Sequence, residues 1–298
     1  MTAISGGPDR VETSSNSVQI RHVRTQAEFA ACVSLQANIW GAGFSERVPA
    51  TILKISQRLG GVTAGAFGAD GALLGFVFGI TGLEDGEIVH WSDMLAVRSG
   101  MQNHGIGRRL KEFQCASVRT LGATRMYWTF DPLVARNAHF NLNRLGVRVS
   151  KYVRDMYGAD TGSALHSGFG TDRFIVVLPI APPDSEPASV SHDVESSSSN
   201  LRNVPLLNAG AAQGRDVDVT RFAAELPPMV RVEIPSDIFQ IQAESTAAAA
   251  HWRLTTRFAF QWAIASGYTV ERFERNGIEG CPCYVLVLAS ASAPAATA

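Results

Sequence analysis

Leu95-Ala96-Val97-Arg98-Ser99-Gly100-Met101-Gln102-Asn103-His104-Gly105-Ile106-Gly107-Arg108-Arg109-Leu110 decides how the rest of the chain is read. An apolar strand-like run enters a Gln-x-x-Gly-x-Gly turn, and an amphipathic helix starts at once. Glycine allows a left-handed φ and lets the backbone come close to a bound group. Consecutive amides in such a turn form an anion nest at the positive end of the helix. Arg108 and Arg109 in the first helical turn oppose the dipole by about a few tenths of a kcal/mol unless an anion lies there. A Rossmann Gly-x-Gly-x-x-Gly and a Gly-Lys-Ser/Thr P-loop are both absent. Taken alone, the motif also fits a purely structural turn; with its flanking strand and helix it reads as a pyrophosphate cradle.

The flanks alternate strand and helix. Val18 to Val23 reads as a strand, and Thr25 with Glu28 three residues on has capping-box spacing for the helix that stops at Gly41. A second helix covers Pro49 to Leu59. Strands Val62 to Phe67 and Leu73 to Thr81 are joined through Asp70-Gly71, a hairpin signal. A third run, Ile88 to Val97, leads into the glycine turn and a helix from Gly107 to Leu121. Arg125 to Phe130 is a strand, Pro132 opens a helix through Leu145, and Val147 to Val153 and Arg173 to Ile180 complete a sheet. The class is mixed α/β.

In this stretch and in the order of elements over residues 18–180 the chain resembles the GNAT (GCN5-related N-acetyltransferase) superfamily. Leu95 to Gly107 is similar to that family's fourth strand and pyrophosphate loop, with Ser99 where a proline is common. Ala138 and Gly146 match its later signature. The resemblance implies the GNAT fold, a mixed and mostly antiparallel sheet flanked by helices, with acetyl-CoA or another acyl-CoA as co-substrate and no metal. It implies that Gln102, Asn103, His104, Gly105, Ile106 and Gly107 bind the CoA pyrophosphate, with Arg108 near the phosphates. Leu95, Ala96 and Val97 would hold the pantetheine arm, and Asn137 would bond it, although the family's usual Asn falls at Ala135. The strand Arg125 to Phe130 would splay from its neighbour to admit the cofactor, so Trp128 to Asp131 would line the acceptor side.

One departure concerns the acid that protonates the leaving thiolate. The family's helix-borne Tyr falls at Leu142 here, so no acid is assigned; Tyr127, Tyr152 and Tyr157 are the candidate substitutes. An acceptor ammonium must lose a proton before attack. Asp131 ranks first as base and Asp93 second, with His90 and His139 behind them. The bland readings are a strand-end residue for Asp93, an N-cap before Pro132 and Leu133 for Asp131, and a hydrogen-bonded core residue for His139. Arg136, Arg144, Arg148, Lys151 and Arg154 read as a solvated face, or as receivers of a carboxylate on an amino-acid acceptor or a succinyl-like acyl group. The stretch from Trp128 to Asn141 looks like a GNAT branch, some members of which accompany N-succinylamino-acid racemases.

Composition sets the outer bounds. In 298 residues, 26 Lys and Arg against 27 Asp and Glu leave a net charge of −1, so no global basic excess steers the chain to nucleic acid or anionic lipid. Hydrophobic residues at 46% suffice for a sizeable core. Cys32, Cys115, Cys281 and Cys283 form no disulfide framework, and Cys281-Pro282-Cys283 lacks further metal ligands. Residues 1–17 and 291–298 read as tails, and no 20-residue apolar span occurs, so a cytoplasmic protein is expected. Between Pro182 and Asn200, fourteen of nineteen residues are Ser, Pro, Asp or Glu, which predicts a flexible linker over 181–204. The remaining 205–290 is a smaller α+β region: strand Met229 to Pro235, one long helix Asp237 to Ser266, then strands Thr269 to Phe273 and Tyr284 to Leu288. Its helix-Gly-strand step echoes Phe140 to Val153, as a degenerate half-copy of the first region or by chance.

These readings give an acyl-CoA-dependent N-acyltransferase acting on a small-molecule primary amine, with no nucleic-acid or membrane partner and a homodimer as the candidate assembly. A non-catalytic acyl-CoA binding or regulatory module is the alternative. A weaker third reading is a GNAT-fold enzyme with non-transfer chemistry.

Overall fold

The computed structural model describes residues 18–158, 161–166, 170–181, 198–222 and 224–289. The first region runs β1 (Gln19–His22), α1 (Gln26–Trp40), α2 (Ala50–Arg58), β2 (Val62–Phe67), β3 (Leu73–Glu84), β4 (Glu87–Val97), α3 (Ile106–Arg119), β5 (Arg125–Phe130), α4 (Ala135–Ala138), β6 (Arg148–Val153) and β7 (Arg173–Pro179). The seven strands lie in the order β1-β2-β3-β4-β5-β7-β6. Every neighbouring pair is antiparallel except β4 and β5, which run parallel.

Local sequence fixes the helix ends. The Thr25 side chain accepts from the Glu28 amide while Glu28 accepts from the Thr25 amide, so two orphan donors of α1 are satisfied reciprocally. The alternation of strand side chains sends Phe76 and Phe78 of β3 to one face, where they pack with Phe29, Cys32 and Leu53 of α1 and α2. Val77 faces the other side, against Ile106, Leu110 and Val118 of α3 and Ala138 of α4. Helices therefore cover both faces, and the glycine turn sits where β4 hands over to α3.

Residues 229–288 form a three-stranded antiparallel sheet, β8 (Met229–Glu233), β10 (Cys283–Leu288) and β9 (Tyr268–Glu274) in that order, with α5 (Ile238–Glu244) and α6 (Thr246–Ala265) between β8 and β9. The succession strand, helix, strand, strand with spatial order first-third-second repeats that of β5, α4, β6 and β7. The echo in sequence is thus matched in topology. Both units share one hydrophobic core: Phe174 of β7 packs edge-on against Phe260 of α6 at 4.9 Å and Tyr284 of β10 at 5.4 Å. The Tyr284 hydroxyl donates to the Pro132 carbonyl at 2.8 Å.

Three expectations change. The helix read from Pro132 to Leu145 starts at Ala135, because the Asp131 carboxylate and carbonyl accept the amides of Leu133 and Val134 and hold 131–134 as a turn. It continues from His139 to Arg144 as a π-helix. The helix read over Asp237–Ser266 is broken at Ser245, whose extended backbone ends α5 and whose hydroxyl accepts the Ala248 amide to cap α6. The linker read over 181–204 lies largely outside the described residues; of its end, Leu201 and Val204 are buried with Val285, since three apolar side chains there gain more from burial than the backbone loses by ordering. The tails 1–17 and 291–298 lie outside the described residues. No helix among the described residues is long and apolar enough to cross a membrane.

Candidate active site

Two irregularities in β4 build the site. Phe78 of β3 stands opposite Met94 and Gly79 opposite Ser92, so Asp93 is the extra residue of a β-bulge. The bulge changes which side chains face which helix. Before it, His90 and Ser92 face α3; after it, Leu95 and Val97 pack on that side, while Met94 and Ala96 join the α1–α2 side. The second irregularity is a fork. β4 pairs with β5 only from Val89 to Trp91, opposite Arg125 to Tyr127. Beyond Trp91 the edge of β4 that faces β5 has no partner strand, while β5 continues to Phe130 paired with β7. Unpaired backbone groups along an edge accept an extended ligand as they would a further strand.

The open edge leads into the glycine turn. Asn103 at φ 65° and Gly105 at φ 75° take left-handed conformations, and Gly105 is the N-cap of α3 without any side-chain cap. Among the described residues no hydrogen bond is made by the amides of Gln102, Asn103, His104 or Gly105. These amides and the first turn of α3 therefore form a donor cluster at a positive helix end. Ile106 is buried and anchors the helix start, and Gln102 Nε2 reaches back to the Val97 carbonyl at 3.4 Å. Arg108 is exposed in the first turn and pairs with Glu112 at 2.7 Å. A Cβ at Gly107 would lie 3.7–3.9 Å from Leu95, Phe140 and Val97, so this glycine borders the space between β4 and the π-helix. Asn137 is half-buried in α4, and its carbonyl accepts from Asn141 Nδ2.

On the α1–α2 side, Asp93 is exposed in a hollow whose surrounding atoms, and then the charge of Glu46, raise its carboxyl above the ordinary value. Trp91 partly offsets this. Tyr157 stands nearby, its hydroxyl 3.0 Å from Thr129 Oγ1 on β5 beyond the fork, and burial raises it so that it stays protonated. The Arg173 guanidinium lies 5.3 Å over the Tyr157 ring and donates to His166 Nε2 at 2.9 Å. Asp93, Glu46 and Tyr157 thus lie within electrostatic reach of one another, with Thr129 and Arg173 against Tyr157.

Several candidates take other parts. Asp131, ranked first as base, is a structural carboxylate: Oδ1 accepts the Leu133 amide, and Oδ2 accepts Arg253 at 2.6 Å and Arg173 at 3.4 Å. Both of its oxygens are thus engaged by donors of the protein itself. The Tyr127 hydroxyl turns to Glu84, at the hairpin end of β3 and β4, opposite to the way the fork opens. Tyr152 is held by Asp172 in the shared core. His90 is buried, with Nδ1 on Thr81 Oγ1 and Nε2 on Gln114 Nε2. Thr81 donates onward to the Gly60 carbonyl, so Nδ1 carries the proton and Nε2 accepts from the amide. Burial pushes this histidine down to about 4, which keeps it neutral. His139 is half-buried and likewise lowered by burial, beside Arg275 and Arg144. The basic residues after β5 do not converge: Arg136 lies over Phe239 and Arg154 pairs with Asp155.

Sequence reasoning passed over Lys111. Its ammonium is buried, 2.6 Å from Ser92 Oγ and 3.9 Å from the centre of the Trp128 ring. A lysine on a helix reads as solvent-facing, and only its place in the run Ile106, Leu110, Gln114, Val118 could have signalled otherwise. Among the described residues no group of three or more His, Cys, Asp or Glu side chains could hold a metal ion.

No family profile matches the sequence, and no curated protein matches it. Solved structures do. The NatC complex bound to Gag peptide and CoA is 15% identical, covering 55% of this chain and 99% of its own with a TM-score of 0.46. The ribosomal-protein-S18-alanine N-acetyltransferase from Escherichia coli is 16% identical, covering 57% and 99% at 0.43. Aminoglycoside 6'-acetyltransferase type Ii is 17% identical, covering 57% and 99% at 0.44. In its own topology, with the order β1-β2-β3-β4-β5-β7-β6, a bulged β4 forked from a parallel β5 and an uncapped glycine turn opening α3, the first region of this chain is a mixed, mostly antiparallel sheet flanked by helices.

Proposed function

We propose that the protein is an acyl-CoA-dependent N-acyltransferase that moves an acetyl or similar acyl group to a primary amine by direct attack. The observation that carries the reading is the continuity of the open β4 edge with the donor cluster of Gln102–Gly107. A pantetheine arm laid along Leu95, Ala96 and Val97 would pair as an extra strand, and its pyrophosphate would fall on the turn amides with Arg108 alongside. Binding would neutralise donors that the chain itself leaves unmet.

The chemistry then falls to the bulge. Asp93 is the carboxylate in the hollow with a raised proton affinity, which suits a base that takes a proton from an ammonium. As the neutral amine attacks the thioester carbonyl, a backbone amide of β4 would polarise the carbonyl oxygen. The C–S bond breaks, the adduct nitrogen gives up its second proton to solvent to leave a neutral amide, and the thiolate takes a proton; Tyr157, protonated and beside Thr129, is the hydroxyl on that side. The acceptor is a small amine, an amino acid among the candidates, admitted past Glu46.

The test is thioester consumption against a panel of amines and amino acids. The reading expects turnover with at least one amine, and a loss of roughly 100-fold or more in kcat for Asp93→Asn with CoA binding retained. Tyr127→Phe should leave the rate unchanged. Tight acyl-CoA binding with no turnover on any amine would instead support the non-catalytic module.

A further inference from the structure

Lys111 lies at the apex of the fork. Ser92 and Trp128 are the first residues of β4 and β5 beyond the last paired positions, Trp91 and Tyr127. The Lys111 ammonium donates to the first and sits on the ring of the second. Trp128 Nε1 donates to the buried Asn141 Oδ1 at 2.6 Å, and Asn141 Nδ2 donates to the Asn137 carbonyl, so the same chain of contacts reaches the π-helix and α4. Lys111 also belongs to the helix whose N-terminus is the glycine turn. One side chain thereby ties both prongs of the fork to the donor cluster.

An ammonium is a costly way to fill this space. Ile106, Leu110 and Val118 fill neighbouring positions of α3 with hydrocarbon, and no carboxylate bonds Lys111 among the described residues. Its titratable neighbours are Cys115 on α3 and His90 on β4. Burial keeps the first a thiol and the second a neutral ring near pH 7. Ser92, Trp128 and Asn141, from β4, β5 and the π-helix, do not titrate.

We propose that Lys111 is a positioning residue for acyl-CoA: by joining Ser92 and Trp128 to α3, its ammonium sets the width of the fork through which the pantetheine arm passes. The inference rests on the acyl-CoA reading above. The side chain acts through the two strands and donates no proton to the substrate. Burial pushes Lys111 down to about 7, so the grip is present in mildly acid solution and weakens as the pH rises.

The experiment is calorimetric titration of CoA into the full chain, wild type and Lys111→Met, at pH 6, 7 and 8.5. CoA's own phosphates titrate identically in both titrations, so the ratio of the two Kd values is the readout. The proposal expects Lys111→Met to bind about 10-fold more weakly at pH 6, with the ratio falling toward about 2 at pH 8.5. A ratio near one at pH 6, or one that does not change with pH, overturns it; the latter would mark mere packing. Should Lys111→Met not fold, Ser92→Ala takes its place and is expected to weaken CoA binding about 5-fold at pH 6, equal binding being the contrary result. If wild type binds no CoA at any pH, the acyl-CoA reading itself falls and takes this inference with it. If wild type binds and the variants bind equally well, this inference falls alone.

Discussion

Replacing Lys111 by Met should change the pH dependence of stability in a way that follows from one buried group. Desolvation lowers the Lys111 ammonium from 10.5 to about 7 in the folded protein. Between those values the unfolded chain holds a proton that the folded chain has released, so wild-type stability rises with pH there. The slope is about 0.7 kcal/mol per pH unit at pH 7 and approaches about 1.4 above it, so over pH 7 to 9 it amounts to about 2.3 kcal/mol. Below pH 7 the full cost of charging the buried amine is present, about 5 kcal/mol from the same arithmetic. Methionine has similar length and no charge, so Lys111→Met removes this term and forfeits the bond to Ser92 and the cation contact with the Trp128 ring, about 2 kcal/mol together. The variant should therefore be more stable than wild type at pH 6, with the advantage shrinking as pH rises. Urea unfolding of both proteins at pH 6, 7, 8 and 9 measures the difference, and groups elsewhere in the chain cancel in it. A difference that stays constant within about 0.5 kcal/mol from pH 7 to 9 would refute the reasoning.

Further outcomes follow from the same geometry. Arg253→Met strips Asp131 of its 2.6 Å partner and leaves a buried carboxylate facing Arg173 alone, so thermal denaturation should show a loss of about 3–5 kcal/mol; a loss below about 1 would contradict the paired role of Asp131. Gly105→Ala forces a left-handed backbone on a residue with a Cβ, at about 1–2 kcal/mol, and should weaken CoA binding while leaving the space around it free of clashes. Asp131→Asn should act on stability and Asp93→Asn on turnover; the reverse assignment in thioester assays would restore Asp131 as the base.

The parts that sequence made legible are those with local causes. A left-handed backbone calls for Gly at 105, an uncapped helix start shows as the absence of Ser, Thr, Asp or Asn directly before Ile106, and Thr25 with Glu28 announces α1. The succession of strands and helices along the first region was legible as well, though the order of the strands across the sheet was not. What escaped depends on partners far along the chain. Asp131 meets Arg253 across 122 positions, so its place before Pro132 pointed to a local amide contact and not to the ion pair. The bulge at Asp93 exists only in the register between β3 and β4, and the α-helical period of 132–145 gave no warning of a π-helix. Lys111 looked like any polar helix residue because burial is a property of the assembled fork. The break at Ser245 was written as an N-cap residue, but inside an unbroken apolar period without Gly or Pro it did not stand out.

The central claim is that an acyl-CoA lies along the open edge of β4 with its pyrophosphate on the turn that opens α3. A crystal structure of the chain with CoA tests it directly. The account predicts phosphate oxygens within hydrogen-bonding distance of amides among Gln102–Gly107, and the pantetheine arm paired to the backbone of Leu95–Val97 inside the fork. CoA bound elsewhere, or a turn whose amides make no phosphate contact in the complex, would contradict it.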